Sequence, residues 1–160
     1  MPTTGSLDSS TNASSGARRG KTRYDLEERL LEYSASIVRL SEHIHRTPAG
    51  NHVRGQIIRS GTSPLFNHGE AEGAESAKDF IHKLGVCLKE LKETRRALLL
   101  IQKVPLVESQ DVVSPILQET NELILIFSTS IRTTRERHLE EESGLYVFDE
   151  IGQKRTDREA

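Results

Sequence analysis

The sequence predicts an all-α fold, an antiparallel up-down-up-down four-helix bundle, and three observations carry that reading. Four stretches place apolar residues on one helical face. Short segments rich in Pro, Gly, Ser and Asn separate them. Leu, Glu and Arg are abundant, while aromatic residues make up only 4% of the chain and Trp is missing, the mix of long helices packed through aliphatic seams. With 160 residues the chain can bury one core and is short for two. The bundle is assigned to residues 23–140, between a disordered polar tail over 1–22 and a mobile acidic tail over 141–160.

Residues 1–22 are mostly Ser, Thr, Gly and Asn, so ordering them would not recover its entropic cost. From Asp25 to Arg46 two interleaved series, Leu26, Tyr33, Leu40 and Leu30, Ile37, Ile44, form one seam on a helix about 33 Å long. Thr47-Pro48-Ala49-Gly50-Asn51 is the turn, with Thr47 or Asn51 capping the second helix. That helix turns Val53, Ile57, Ile58 and Leu65 inward. Its small residues Gly55, Ser60, Gly61, Thr62 and Ser63 permit close approach of a neighbour, either a helix of the same chain or another subunit. Pro64 removes a backbone donor, which predicts a kink or a restart capped by Ser63.

Ser76-Ala77-Lys78-Asp79 has the form of a capping box and opens the third helix. Its seam is Phe80, Cys87, Thr94, Ile101 with Leu84, Leu91, Leu98, and Pro105 stops it after about Lys103. Ser109 or Ser114, the latter followed by Pro115, starts the fourth helix. Its seam uses Val113, Thr120, Phe127 and Leu117, Ile124, Ile131 and fades near His138. Leu145-Tyr146-Val147-Phe148 interrupts the acidic tail, either as a docking motif or as a segment packed back on its own bundle.

The formal net charge is -2, so no whole-molecule field draws nucleic acid and only a local patch could do so. Cys87, the single cysteine, cannot form an intramolecular disulfide. The opening MPTTGSLDSSTNASS has neither a charged nor an apolar export region, and a cytoplasmic location is expected. No apolar run, Ala97 to Ile101 included, approaches the roughly 20 residues of a membrane span.

No phosphate-binding glycine loop, nucleophile elbow or dinucleotide turn is present. No two histidines sit at i, i+4, and Cys87 has no nearby companion, so neither a metal nor another cofactor is expected. Glu70, Glu72, Glu75 and Asp79 cluster at the link into the third helix, where carboxylates stabilise a helix start without any acid–base role. A non-enzymatic protein is therefore expected. Arg59, Asn67, Glu70 and Glu93 are read as structural polar contacts, with Asn67 and Glu70 directed to Arg59 or Glu93. Lys89, Lys92, Arg95, Arg96 and Lys103 spread along the third helix. Antiparallel packing sets Arg132, Arg135 and Arg137 beside Arg23, Arg29 and the tail's Arg18, Arg19 and Lys21. Together they are the candidate contacts for RNA or DNA phosphates. Interleaved Glu90, Glu93, Glu136 and Glu140 leave the alternative of ordinary solvated ion-pair faces.

The stretch from Arg59 to Thr94 resembles the small four helix bundle protein family, whose founding members are encoded by intervening sequences in bacterial large-subunit ribosomal RNA genes. The resemblance rests on Arg59, the small run Ser60 to Ser63, Asn67, Glu70, Ser76, Asp79-Phe80-Ile81 and the Leu-rich Leu88 to Thr94. It spans about residues 25–138 and is strongest from Gln56 to Thr94. The sequence is nearest the NxGEA branch, with Ala71 where the better-known form has Gly and His68 where this branch usually has an aromatic. The resemblance implies a left-handed bundle assembled as a homopentameric barrel with a central channel. Related barrels serve as accessories to the reverse transcriptases of diversity-generating retroelements, touching nucleic acid and the enzyme through a basic exterior. By resemblance, then, a homo-oligomer with an RNA or DNA ligand and a polymerase-type partner is expected. A purely structural or protein-interaction barrel is the alternative.

Overall fold

The structure, a computed structural model, describes the backbone of residues 21–156 and the side chains of residues 26–143. Four helices in chain order, α1 (Lys21–His43), α2 (Pro48–Glu72), α3 (Ala77–Lys103) and α4 (Ser114–Thr156), form the all-α bundle, with a single 3-10 turn, Gln110–Val112, before α4. Consecutive helices pack side by side, whereas α1 and α4 meet over a shorter stretch.

The heptad seams are the core. Leu30, Tyr33, Ile37, Leu40 and Ile44 of α1 and its end are buried against Leu84, Cys87, Leu91, Leu98 and Ile101 of α3 and Phe127 and Ile131 of α4, with Val113 beneath the α3–α4 connection. The capping residues act as the sequence predicts. Thr47 Oγ1 accepts from Gly50 N at 3.0 Å, and Ser76 Oγ accepts from Asp79 N at 3.1 Å. Ser109 caps the 3-10 turn, and Ser114 is the first residue of α4.

α2 departs from expectation at two places. Of the two outcomes expected at Pro64 the restart capped by Ser63 does not occur, since α2 runs through it to Glu72. An internal proline costs ~3 kcal/mol by itself; here it is buried, and the thiol of Cys87 sits 3.6 Å from its carbonyl, so packing on α3 offsets the local cost. The inward side of α2 is also smaller than predicted: Val53 and Ile57 are buried together with Ser60 and Gly61, while Ile58 faces outward. A Cβ on Gly61 would lie 2.7 Å from Ile37 Cγ2, so the small run serves close approach of α1 within the chain.

α4 is the other departure. The seam ends at Ile131, yet the helix continues past His138 to Thr156, giving it 43 residues, or about 65 Å. The Leu145–Phe148 stretch belongs to this helical continuation, and its side chains lie outside the described residues.

Candidate nucleic-acid interface

One polar layer fixes how the four helices are registered. Tyr33 of α1 places its hydroxyl 2.8 Å from Thr120 Oγ1 of α4 and also bonds toward Thr94 of α3, whose hydroxyl lies 2.9 Å from Ser60 Oγ of α2. Ser60, Thr94, Thr120 and Tyr33 are all buried. Each helix thus contributes one hydroxyl at one level; Ser60, Thr94 and Thr120 also bond carbonyls of their own helices, whereas sliding α1 by a turn would orphan the buried Tyr33 hydroxyl at about 1–3 kcal/mol. Burial pushes the Tyr33 hydroxyl up to about 12, partly countered by its bonds to Thr120 and Thr94.

Outside the core, the cations of α3 come together with α4. Lys92, Arg95 and Arg96 line a groove of roughly 500 Å³ with Asn121, Ile124 and Leu125, and Arg95 Nε donates to Asn121 Oδ1 at 2.7 Å. That bond orients the guanidinium without neutralising it. Antiparallel packing carries the basic line onward: Arg132 lies three turns past Asn121 on α4, about 16 Å away, with Arg135 one turn further. Lys89, Lys103, Arg132, Arg135 and Arg137 are not buried. Arg132, Arg135 and Arg137 occupy the middle of α4, where it leaves the bundle, and so do not complement a helix C-terminus as a final turn would.

Other expected contacts are placed differently. Arg29 is forked to Glu119, with Nη2 2.9 Å from Oε2, and also pairs with Glu122; these bonds, Glu119 foremost, hold its pKa above the ordinary arginine value against partial burial. Its charge is spent joining α1 to α4. Beside this pair, Tyr33, Ser36, Pro115 and Ile116 line a second groove of about 320 Å³. Arg18 and Arg19 lie outside the described residues, and Lys21 and Arg23 open α1 with side chains that are likewise outside them.

The four polar residues of the α2–α3 region do not meet as a cluster. Arg59 donates to Gln56; Asn67 Nδ2 donates to Ser63 O at 3.0 Å and Ser63 Oγ at 2.9 Å; Glu70 pairs with Lys83 at 2.5 Å; and Glu93 lines a groove with His52, Gln56 and Arg96. The Glu70 hydrogen bond raises the Lys83 pKa. His68 packs edge-on to Phe127, ring centroids 6.1 Å apart at 87°, so position 68 does aromatic packing work in this chain. Sequence reasoning missed Arg54, which donates Nε to Ser41 O at 2.9 Å and Nη2 to Ile44 O, closing the end of α1.

Cys87 is fully buried and its thiol is pushed up to about 12, chiefly by burial, which removes the thiolate a nucleophile needs. Among the described residues no group of three or more His, Cys, Asp or Glu is placed to hold a metal, and no helix is long and apolar enough to cross a membrane.

Residues 24–128 match the family described as 23S rRNA-intervening sequence protein. This chain belongs to that family. The crystal structure of a protein from the S23 ribosomal protein family of Bacteroides thetaiotaomicron, described as of unknown function, is similar to it at 30% identity. The likeness covers 68% of this chain and 96% of the other, with a TM-score of 0.62. No curated protein matches the sequence. Neither the intervening-sequence family nor the Bacteroides structure carries an assigned reaction.

Proposed function

We propose that this intervening-sequence protein acts without chemistry, as an oligomeric accessory that holds RNA or DNA on its α3–α4 face and presents it to a polymerase-type partner in the cytoplasm. The observation that carries the reading is the groove of Lys92, Arg95 and Arg96, continued along α4 by Arg132 and Arg135, in a protein whose net charge is negative. A basic stripe on an otherwise acidic molecule is a local electrostatic footprint, and repetition by symmetry in a homopentamer would join several stripes into a sequence-tolerant phosphate ring. Assembly is supported by apolar side chains left outside the core, Leu31 and Val38 on α1 and Phe66 on α2. The purely structural barrel is favoured instead by the pairing of Arg29 with Glu119 and Glu122, in which a basic group of this chain serves as an internal tie.

Titration of labelled single-stranded and duplex oligonucleotides at several salt concentrations tests the proposal. Binding should weaken steeply with salt, and charge reversal at Arg95, Arg96, Arg132 and Arg135 should weaken it at least ten-fold while leaving the helical signal intact. Binding that is undetectable at low salt, or indifferent to these reversals, discards the interface.

A further inference from the structure

We infer that Asn121 is the positioning residue of the α3–α4 interface, which rests on the nucleic-acid reading above. By holding Arg95 through Nε, it makes the two terminal amino groups of the guanidinium a fixed fork for the paired oxygens of one backbone phosphate. Arg95 and Asn121 are both exposed, and Arg95 Nε lies 2.7 Å from Asn121 Oδ1 across the groove. A guanidinium carries its N–H donors in one plane, and this bond takes only the Nε one. Among the described residues Arg95 makes no other hydrogen bond or ion pair, so both terminal amino groups stay available.

The side-chain type at position 121 sets it apart from its neighbours on α4. Glu119 and Glu122 stand on either side of it in sequence and both turn to Arg29 of α1, where a carboxylate neutralises the cation it holds. Asn121 turns to α3 and offers a neutral amide, which holds the cation in place and leaves its charge to the groove. Carboxylates are kept away on the α3 side as well. Glu93 lines the groove on the α2 side of that helix, and among the described residues no acidic group lines the α3–α4 groove. A long side chain on a helix surface samples many rotamers, and ordering it at the moment of binding opposes association. Arg95 is ordered beforehand, and Ile124 and Leu125 give the groove apolar walls that limit screening of its charge. A planar fork matches two oxygens on one atom, as at each phosphodiester of RNA or DNA, and an ammonium cannot reproduce that match. Lys92 and Arg96 thus add charge to the groove, whereas Arg95 adds orientation.

Titration of the full chain and its variants with fluorescein-labelled duplex DNA and single-stranded RNA, over a range of salt, separates orientation from charge. Both substituted positions are exposed, so the fold should tolerate the changes, and circular dichroism of each variant checks it. Asn121→Ala keeps every cation, so the slope of log affinity against log salt should hold while affinity falls about five-fold. Arg95→Lys should behave alike, keeping the charge and losing the fork. Asn121→Asp sets a carboxylate on Arg95, so affinity should fall further and the slope should become shallower by about one. The decisive comparison is made on the Arg95→Ala background, where Asn121→Ala should have no additional effect because it acts through Arg95. Full affinity in Asn121→Ala or Arg95→Lys would make the bond a mere tie between helices, and a loss that persists without Arg95 would make Asn121 a direct contact. Either result overturns the positioning role and leaves the interface standing. Failure of the unsubstituted chain to bind either oligonucleotide removes the interface and the positioning role together.

Discussion

At Gly61 the α1–α2 contact leaves no room for a side chain, because an added Cβ would fall 2.7 Å from Ile37 Cγ2 and 2.8 Å from Ile37 Cγ1. Those are the branch atoms of a stiff side chain and cannot swing aside. Gly61→Ala is expected to destabilise the protein by about 1–2 kcal/mol, overpacking outweighing the ~1 kcal/mol that alanine gains in a helix. Gly55, on the same helix, has nothing within 4 Å of the equivalent atom, so Gly55→Ala should stabilise by about 0.5–1 kcal/mol. Urea midpoints of the two variants check the opposite signs. Tyr33 offers a second test at this scale. It and Cys87 are neutral acids in the core, both pushed up to about 12 by burial from ordinary values of 10.0 and 9.0. An unfolded chain ionises them first, so their contribution is complete below about pH 9 and is lost as pH climbs toward 12. In Tyr33→Phe the decline above about pH 10 should become shallower, because the Tyr33 share is gone while the Cys87 share persists up to about pH 12. Near neutrality the variant should lose only about 1 kcal/mol, since Thr120 still reaches Ile116 O and Thr94 still reaches Glu90 O. Chemical denaturation across the alkaline range would show it.

At the level of the helices, the end of α1 depends on a side chain from α2. Arg54 gathers Ser41 O, Ile44 O and Asn51 Oδ1, filling carbonyls that the last turn of α1 cannot satisfy internally. Arg54→Ala should cost about 1–2 kcal/mol, and Arg54→Lys should recover only part of it because an ammonium cannot fork to several acceptors in a plane. Thermal denaturation with hydrogen exchange at the end of α1 would localise the loss. This contact was not legible in the sequence, because it exists only once the Thr47 turn folds α2 back on α1. The seams of α1 and α3 were legible almost residue for residue, since every seam member from Leu30 to Ile44 and from Leu84 to Ile101 is buried. In α4 the strict seven-residue count held for Val113, Thr120 and Phe127 but passed over Leu123, which is fully buried, and left Leu117 and Ile124 half-buried. A helix with 3.6 residues per turn drifts about 20° per heptad against a 3.5-residue repeat, and that drift turns Leu123 inward while Ile124 moves to the basic groove. The groove itself was readable only as a list of cations. Which of them share a face, and that Arg29 belongs to two carboxylates instead, followed from the packing of α4.

The molecule as a whole joins a bundle set by its second and third helices to a fourth helix nearly twice as long as α2. Every described side chain from 132 to 143 is exposed or only half-buried, so these residues bury little against the core. Truncation after Thr134 should therefore leave the free energy of unfolding within about 0.5 kcal/mol of the full chain, the usual range for changes away from buried contacts. A loss of more than about 2 kcal/mol on truncation would contradict this reading, because a cost of that size requires buried contacts made by residues 135–156.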